Sequence, residues 1–173
     1  MLVTVDDLVD KYGFTISDKA RQQFQTILDT AEEECLAYAG LEIGEINEYL
    51  DGDGGCVYCI SHKPVQRIVS VTVDGRSVSY RFEKRSQKIV LECSVSMKTE
   101  IVVTMMLGWE TGSEPSTLKT AIALTAQHLA KLQNAKMMGI LTRTTEGGSE
   151  QIEQSIPPLA VKGLLDRFKS VVM

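Results

Sequence analysis

The chain has 173 residues, 43% of them hydrophobic, with 18 Lys and Arg against 23 Asp and Glu for a formal net charge of −5. A chain of that length buries roughly 70% of its unfolded surface in a single domain, so its size demands no metal or disulfide staple, and the four irregularly spaced cysteines read as reduced thiols. No stretch approaches the roughly 20 apolar residues of a membrane span, and the opening Met-Leu-Val-Thr-Val-Asp-Asp lacks a basic region and a signal-length apolar run, which predicts a soluble, cytosolically made protein with no membrane partner.

In chain order, Thr4 with Asp7 three residues later marks the N-cap of a short helix over 5–12 that stops at Gly13. Ser17 is the expected cap of a longer helix over 18–39. Ala20, Phe24, Ile27, Leu28, Ala31, Cys35 and Leu36 recur there at three- and four-residue steps, opposite Gln22, Gln23, Asp29, Glu32 and Glu33. Residues 41–55, ending Asp-Gly-Asp-Gly-Gly, read as a connecting loop.

The period then changes from helical to alternating, giving a β region over 56–107. Val69, Val71 and Val73 alternate with Ser70 and Thr72, Asp74-Gly75 supplies a two-residue turn, and Val78, Tyr80 and Phe82 alternate with Ser79 and Arg81. Ile89, Leu91 and Cys93 give a third strand and Ile101, Val103, Met105 and Leu107 a fourth, with Cys56, Tyr58 and Ile60 as an edge strand before Pro64. Past Trp109, Pro115 opens a helix over 115–135 whose residues 121–126 are all apolar or Thr, so it should be covered on several sides. Residues 137–155 hold adjacent glycines and no helical stripe, and are expected as an extended arm. Pro157-Pro158 then opens a last helix over 158–171, with Val161, Leu164, Leu165, Phe168 and Val171 or Val172 on its apolar side. The expected architecture is α+β: mainly a helical bundle around a central helix, with an inserted small antiparallel sheet of four or five strands.

Charge is unevenly spread: residues 1–53 hold 13 acids against 3 bases, and residues 54–109 hold 8 bases against 4 acids. Solvated faces of an ordinary monomer and complementary surfaces between copies both account for that split. Nucleic-acid readout is disfavoured, because the bases lie on strands with no interleaved aromatics.

Motifs for chemistry are sparse. Cys56-x-x-Cys59 with His62 has the spacing of zinc thiolates plus a third ligand, which makes a small zinc-binding or thiol-redox module the alternative reading; Cys56 and Cys59 nevertheless point to opposite faces of a regular strand. Counting Asp51 as the first position of a calcium loop, the twelfth, where a Glu is needed, is His62. Trp109 reads as a cap on the core and His128 as a packed or solvated histidine. No phosphate loop, nucleophile elbow or catalytic pair emerges, so no enzyme and no cofactor are expected.

The succession of a short helix, an amphipathic helix, Pro64-Val65-Gln-Arg-Ile68-Val-Ser70-Val71-Thr-Val73-Asp-Gly75 in a hairpin, a strand ending Met-Leu107-Gly108-Trp109, and Pro115-Ser-Thr-Leu118-Lys-Thr-Ala121-Ile122 opening a helix resembles the head-tail connector (adaptor) proteins of tailed bacteriophages and prophages. The Pro-led C-terminal helix, Ile156-Pro157-Pro158-Leu159, fits the same pattern; Cys56-x-x-Cys59 and the length of the glycine-rich arm depart from it. The resemblance implies one connector-like domain over 1–173 and a structural virion protein of the neck, made in the host bacterial cytoplasm. It implies a ring of twelve copies beneath the portal that extends the DNA channel and receives a stopper or tail-completion protein, DNA passing without sequence-specific binding. On that reading Glu32 and Glu33 are candidates to face the channel, Leu164, Leu165 and Phe168 to dock on the portal, and Trp109 and Pro115 to form the core and its turn.

Overall fold

The computed structural model describes residues 2–134, 142–145 and 148–169. The chain divides into a helical unit, Met1–Leu41 with Glu114–Met173, and a β unit, Glu42–Ser113, so the strands sit as an insertion in the sequence of the helices.

The helical unit begins at α1 (Val5–Tyr12), where Thr4 and Asp7 form a reciprocal capping box and Gly13 closes the helix at φ 69. Val3, Val5 and Leu8 are buried. Helix α2 (Arg21–Ala39) follows a 3-10 turn, Asp18–Ala20, and here expectation and structure differ: Ser17 makes no side-chain cap, and only its carbonyl accepts, from the Ala20 N–H at 2.9 Å. The α2 stripe buries Ile27, Leu28, Ala31, Cys35 and Ala39. Helix α3 (Ser116–Asn134) packs against both α2 and α4 (Leu159–Leu165), which explains why Leu118, Ala121, Ile122, Ala123, Thr125, Ala126, Leu129, Ala130 and Leu132 are all buried. The Pro115 carbonyl accepts from Leu118 and Lys119 N–H, starting the α3 ladder. Pro158 does the same for α4, which ends at Leu165 in a 3-10 turn, Asp166–Phe168, earlier than the periodicity suggested; Val171 and Val172 lie outside the described residues.

The β unit comprises β1 (Gly44–Asp51), β2 (Val57–Cys59), β3 (Val65–Val73), β4 (Arg76–Ser77), β5 (Tyr80–Glu83), β6 (Lys88–Leu91) and β7 (Glu100–Leu107). In place of one sheet of four or five strands there are two antiparallel sheets, ordered β1-β7-β3-β4 and β2-β6-β5, so the molecule is mixed α+β and not chiefly a helical bundle. Central strand β7 buries Ile101, Val103, Met105 and Leu107 on one face, and the two sheets share a core with Tyr58, Ile60, Val71, Ile89 and Leu91. Asp74 and Gly75 have φ 46 and 74, the left-handed pair that a tight I′ hairpin turn requires. That hairpin has only two register pairs, Thr72↔Ser77 and Val73↔Arg76, because the chain then leaves for the other sheet, where Tyr80–Glu83 pair with β6.

Strand β1 occupies part of the expected loop. Its inward positions are Ile46, Glu48 and Leu50, and the acid in the middle breaks the apolar alternation by which strands are recognised. The glycines after β1 serve a close backbone crossing: Gly52 N–H donates to Thr99 O and Gly52 O accepts from Lys98 N–H, both at 2.8 Å, and a Cβ on Gly52 would lie 2.2 Å from Ser96 O. Of the expected arm over 137–155, Thr142–Thr145 (β8) and Gly148–Gln151 (β9) pair as antiparallel strands, while 137–141 and 146–147 lie outside the described residues.

Candidate functional site

The residues expected to carry a function separate into several environments. In the helical unit Glu32 is half-buried, its carboxylate accepting the Leu2 N–H at 2.7 Å, whereas Glu33 is exposed; one acid therefore holds the N-terminal segment and the other faces solvent. Leu165 is completely buried, so it serves the core of the helical unit, and Leu164 and Phe168 remain half-buried. The turn bearing Phe168 is tied to α2 by contacts that no spacing in the sequence announces. Tyr38 donates to Asp166 at 3.0 Å, and the Lys169 ammonium lies 3.6 Å from the Tyr38 ring centroid. Lys169 and then Tyr38 hold the Asp166 carboxyl below its usual range.

The thiols divide in the same way. Cys35 sits 3.3 Å from Thr125 Oγ1 inside the helical unit, and burial pushes its pKa up to about 11, which makes it a packed and unreactive group. In the β unit Tyr58 points inward, Cys59 is exposed on the other face of β2, and Cys56 is half-buried against the core. His62 pairs with Glu42 at 3.1 Å. Among the described residues no three His, Cys, Asp or Glu side chains gather at metal-binding distance, so the Cys56/Cys59 pattern acquires no further ligands there. Asp53 accepts the Gly55 N–H at 2.8 Å, an Asx turn in place of a cation loop. His128 is half-buried on α3, its Nε2 without a hydrogen-bond partner among the described residues.

Two features of the β unit escaped sequence reading. Glu48 is 7% exposed, and its carboxylate accepts the Ser61 N–H at 3.0 Å and the Ser61 hydroxyl at 2.6 Å, which offsets its desolvation. Half-buried Trp109 lines a shallow cavity of about 330 Å³ with Pro64, Val65, Lys84, Gly108 and Glu110. The arrangement offers sheet edges and a few exposed apolar side chains, among them Tyr49, Val57 and Val69, which are features suited to binding.

This two-part α+β chain, helices interrupted in sequence by a pair of small antiparallel sheets, has a fold found in the necks of phage-like particles. One similar solved chain belongs to the neck of a native gene transfer agent (GTA) particle computed with C12 symmetry, with TM-score 0.54 and 14% identity over 90% of this chain and 86% of that one. Another belongs to the neck of an empty GTA particle computed with C6 symmetry, with TM-score 0.60 and 14% identity over 99% of this chain and 91% of that one. A third, from the virion of a native GTA particle, gives the same TM-score of 0.60 and identity of 14% over the same 99% and 91%. No family model and no curated protein matches the chain. At such identity the likeness is one of fold.

Proposed function

We propose that the chain is a structural, non-enzymatic component of the neck of a tailed-phage-like particle, an adaptor that assembles as a ring beneath the portal and receives a stopper or tail-completion protein. The observation that carries this reading is the full-length fold match, 99% of this chain on 91% of a neck chain at TM-score 0.60, with both the helical and the β unit included. The similar neck structures were computed with C12 and C6 symmetry, which supports a ring, of twelve copies on this reading, since a head-to-tail interface whose rotation closes produces one. Exposed Glu33 is the better candidate to face the channel, where a carboxylate repels DNA phosphates and lets the duplex slide, and Glu32 contributes beside it. Half-buried Leu164 and Phe168 are the docking groups left for the portal once Leu165 is assigned to the core. The virion neck is the place of action and the bacterial cytoplasm the place of synthesis.

The test is deletion of the coding sequence from a particle-producing genome. Filled heads that accumulate without tails, restored by the intact chain supplied in trans, are expected. Complete, infective particles formed without it would overturn the reading.

A further inference from the structure

The β unit has two lateral sides, and its charges are unevenly shared between them, with Asp74 and Glu83 among the bases of one side and Lys63 beside the acids of the other. Strand β1 is one edge of the four-stranded sheet and β2 one edge of the three-stranded sheet; the bond from Ser61, just after β2, to Glu48 on β1 places these two edges together. The other edges are β4 and β5, joined through only Val78 and Ser79, and they form the opposite side. On the β1 side Glu42, Glu45 and Asp51 are exposed, with Tyr49 67% exposed among them. On the β4/β5 side Arg76, Arg81, Lys84 and Arg85 are exposed; Arg81 is paired with Glu83, while Arg76, Lys84 and Arg85 have no ion pair among the described residues. Only the part of the sequence imbalance that falls in the β unit contributes here, since eight of the 13 acids in residues 1–53 belong to the helical unit; within the sandwich it leaves Glu42, Glu45 and Asp51 on one side and Arg76, Lys84 and Arg85 on the other. Strand β1, at about 3.3 Å per residue, also offers an edge about 26 Å long whose outer backbone groups face away from β7.

We propose that these sides form a head-to-tail joint between copies of this chain, the acidic β1 edge of one copy meeting the basic β4/β5 edge and its Lys84-Arg85 turn on the next. A second copy is the occupant because the complementary charge is on the same molecule at the opposite side, so every joint leaves one acidic and one basic side open for another. Such a contact is heterologous and propagates until it closes. Tyr49 supplies the apolar area that charges alone lack; aromatic groups on a polar strand are the usual anchors of an interface. The inference deepens the neck reading and rests on it for ring closure, but the joint itself is a property of the isolated chain.

Two variants decide it: Glu45→Lys with Asp51→Lys, and Lys84→Glu with Arg85→Glu. All four positions are exposed, so both proteins should keep wild-type circular dichroism; if either does not, the neutral pairs Glu45→Gln with Asp51→Asn and Lys84→Gln with Arg85→Gln replace it for the single-protein measurements. In sedimentation at low salt the wild type self-associates and loses association as salt rises, while each variant alone associates about ten-fold more weakly or worse. An equimolar mixture of the two charge-reversed variants regains association, because every joint in an alternating array then has opposite charges. Unchanged association of either variant, failure of the folded mixture to recover, or a wild type monomeric at all concentrations would each overturn the joint. Variants that still form rings in particles discard the joint and keep the neck reading; a chain that associates through these edges yet is absent from particles does the reverse.

Discussion

The helical unit and the β unit achieve order by different means. In the helical unit α3 buries side chains around most of its circumference, and small residues, Ala121, Ala123, Ala126 and Ala130, let α2 and α4 approach it. Specificity there comes from packing volume. The β unit has shorter elements, and its shape is fixed by backbone: a left-handed turn at Asp74-Gly75, a glycine crossing at Gly52, a buried carboxylate on Ser61. The lesson is that side-chain pattern reports a unit held by volume well and a unit held by backbone geometry badly.

Gly52→Ala should break the comparison with the largest effect. The added methyl would stand 2.2 Å from Ser96 O, a backbone atom that cannot move without disturbing the bonds that Gly52 N–H donates to Thr99 O and that Gly52 O accepts from Lys98 N–H. Overpacking of this kind costs about 3 kcal/mol, about 6–12 °C in melting temperature for a chain of this length. The same change at Gly163 in α4, where nothing lies within 4 Å of the new Cβ, should instead stabilise by up to about 1 kcal/mol. Hydrogen exchange would read both: lost protection concentrated at 44–51 and 95–107 in the first variant, none lost in the second. Uniform loss of protection across both units in Gly52→Ala would show that the crossing supports the whole chain and not the sandwich alone.

Parts of this were legible and parts were not. Thr4 with Asp7, and Asp74-Gly75, are short-range devices whose chemistry is complete within a few residues, so the sequence displays them. Strand β1 was hidden because its central inward residue is Glu48, made tolerable only by Ser61, thirteen positions away. The division into two sheets was hidden for the opposite reason: Val78, Tyr80 and Phe82 continue an unbroken alternation, and alternation is the same whichever neighbour a strand pairs with. Charge imbalance could be counted along the chain, but only the topology puts Glu45 and Asp51 on one side of the sandwich and Arg76, Lys84 and Arg85 on the other. Leu165 and Phe168 share a stripe in sequence, and the end of α4 between them decides which is core.

A smaller loss, about 1–3 kcal/mol, is expected for Ser61→Ala, which keeps the N–H donor to Glu48 but removes the 2.6 Å hydroxyl donor. Glu48→Gln in the same background should recover part of it, since a neutral amide is less costly to leave under-bonded than a carboxylate. Urea unfolding of the two single variants and the double variant gives the coupling. Additive losses would mean that the Ser61 hydroxyl does not compensate the buried charge, and the β unit would then resemble the helical unit in depending on volume alone.

The smallest effect sharpens the contrast from the helical side, where one terminus does depend on a polar device. Asp7 accepts from the Lys11 ammonium at 2.6 Å and from the Thr4 N–H at 2.9 Å, and these bonds, Lys11 first, lower its pKa to about 2 from an ordinary 3.8. A depressed carboxyl favours the folded state wherever it is ionised in both states, so its contribution is complete above about pH 4 and disappears as pH falls through about 2. Because the group is near the surface and screened, the contribution is under about 1 kcal/mol, about 2–4 °C in melting temperature. Comparing wild type with Asp7→Asn at pH 6, 4 and 2, the gap in melting temperature should narrow steadily toward zero at the acid end and shrink at pH 6 when salt is raised. A gap constant from pH 6 to pH 2 would mean that the asparagine disturbs α1 by some route other than lost charge, since only the ionised carboxylate distinguishes the two side chains across that window.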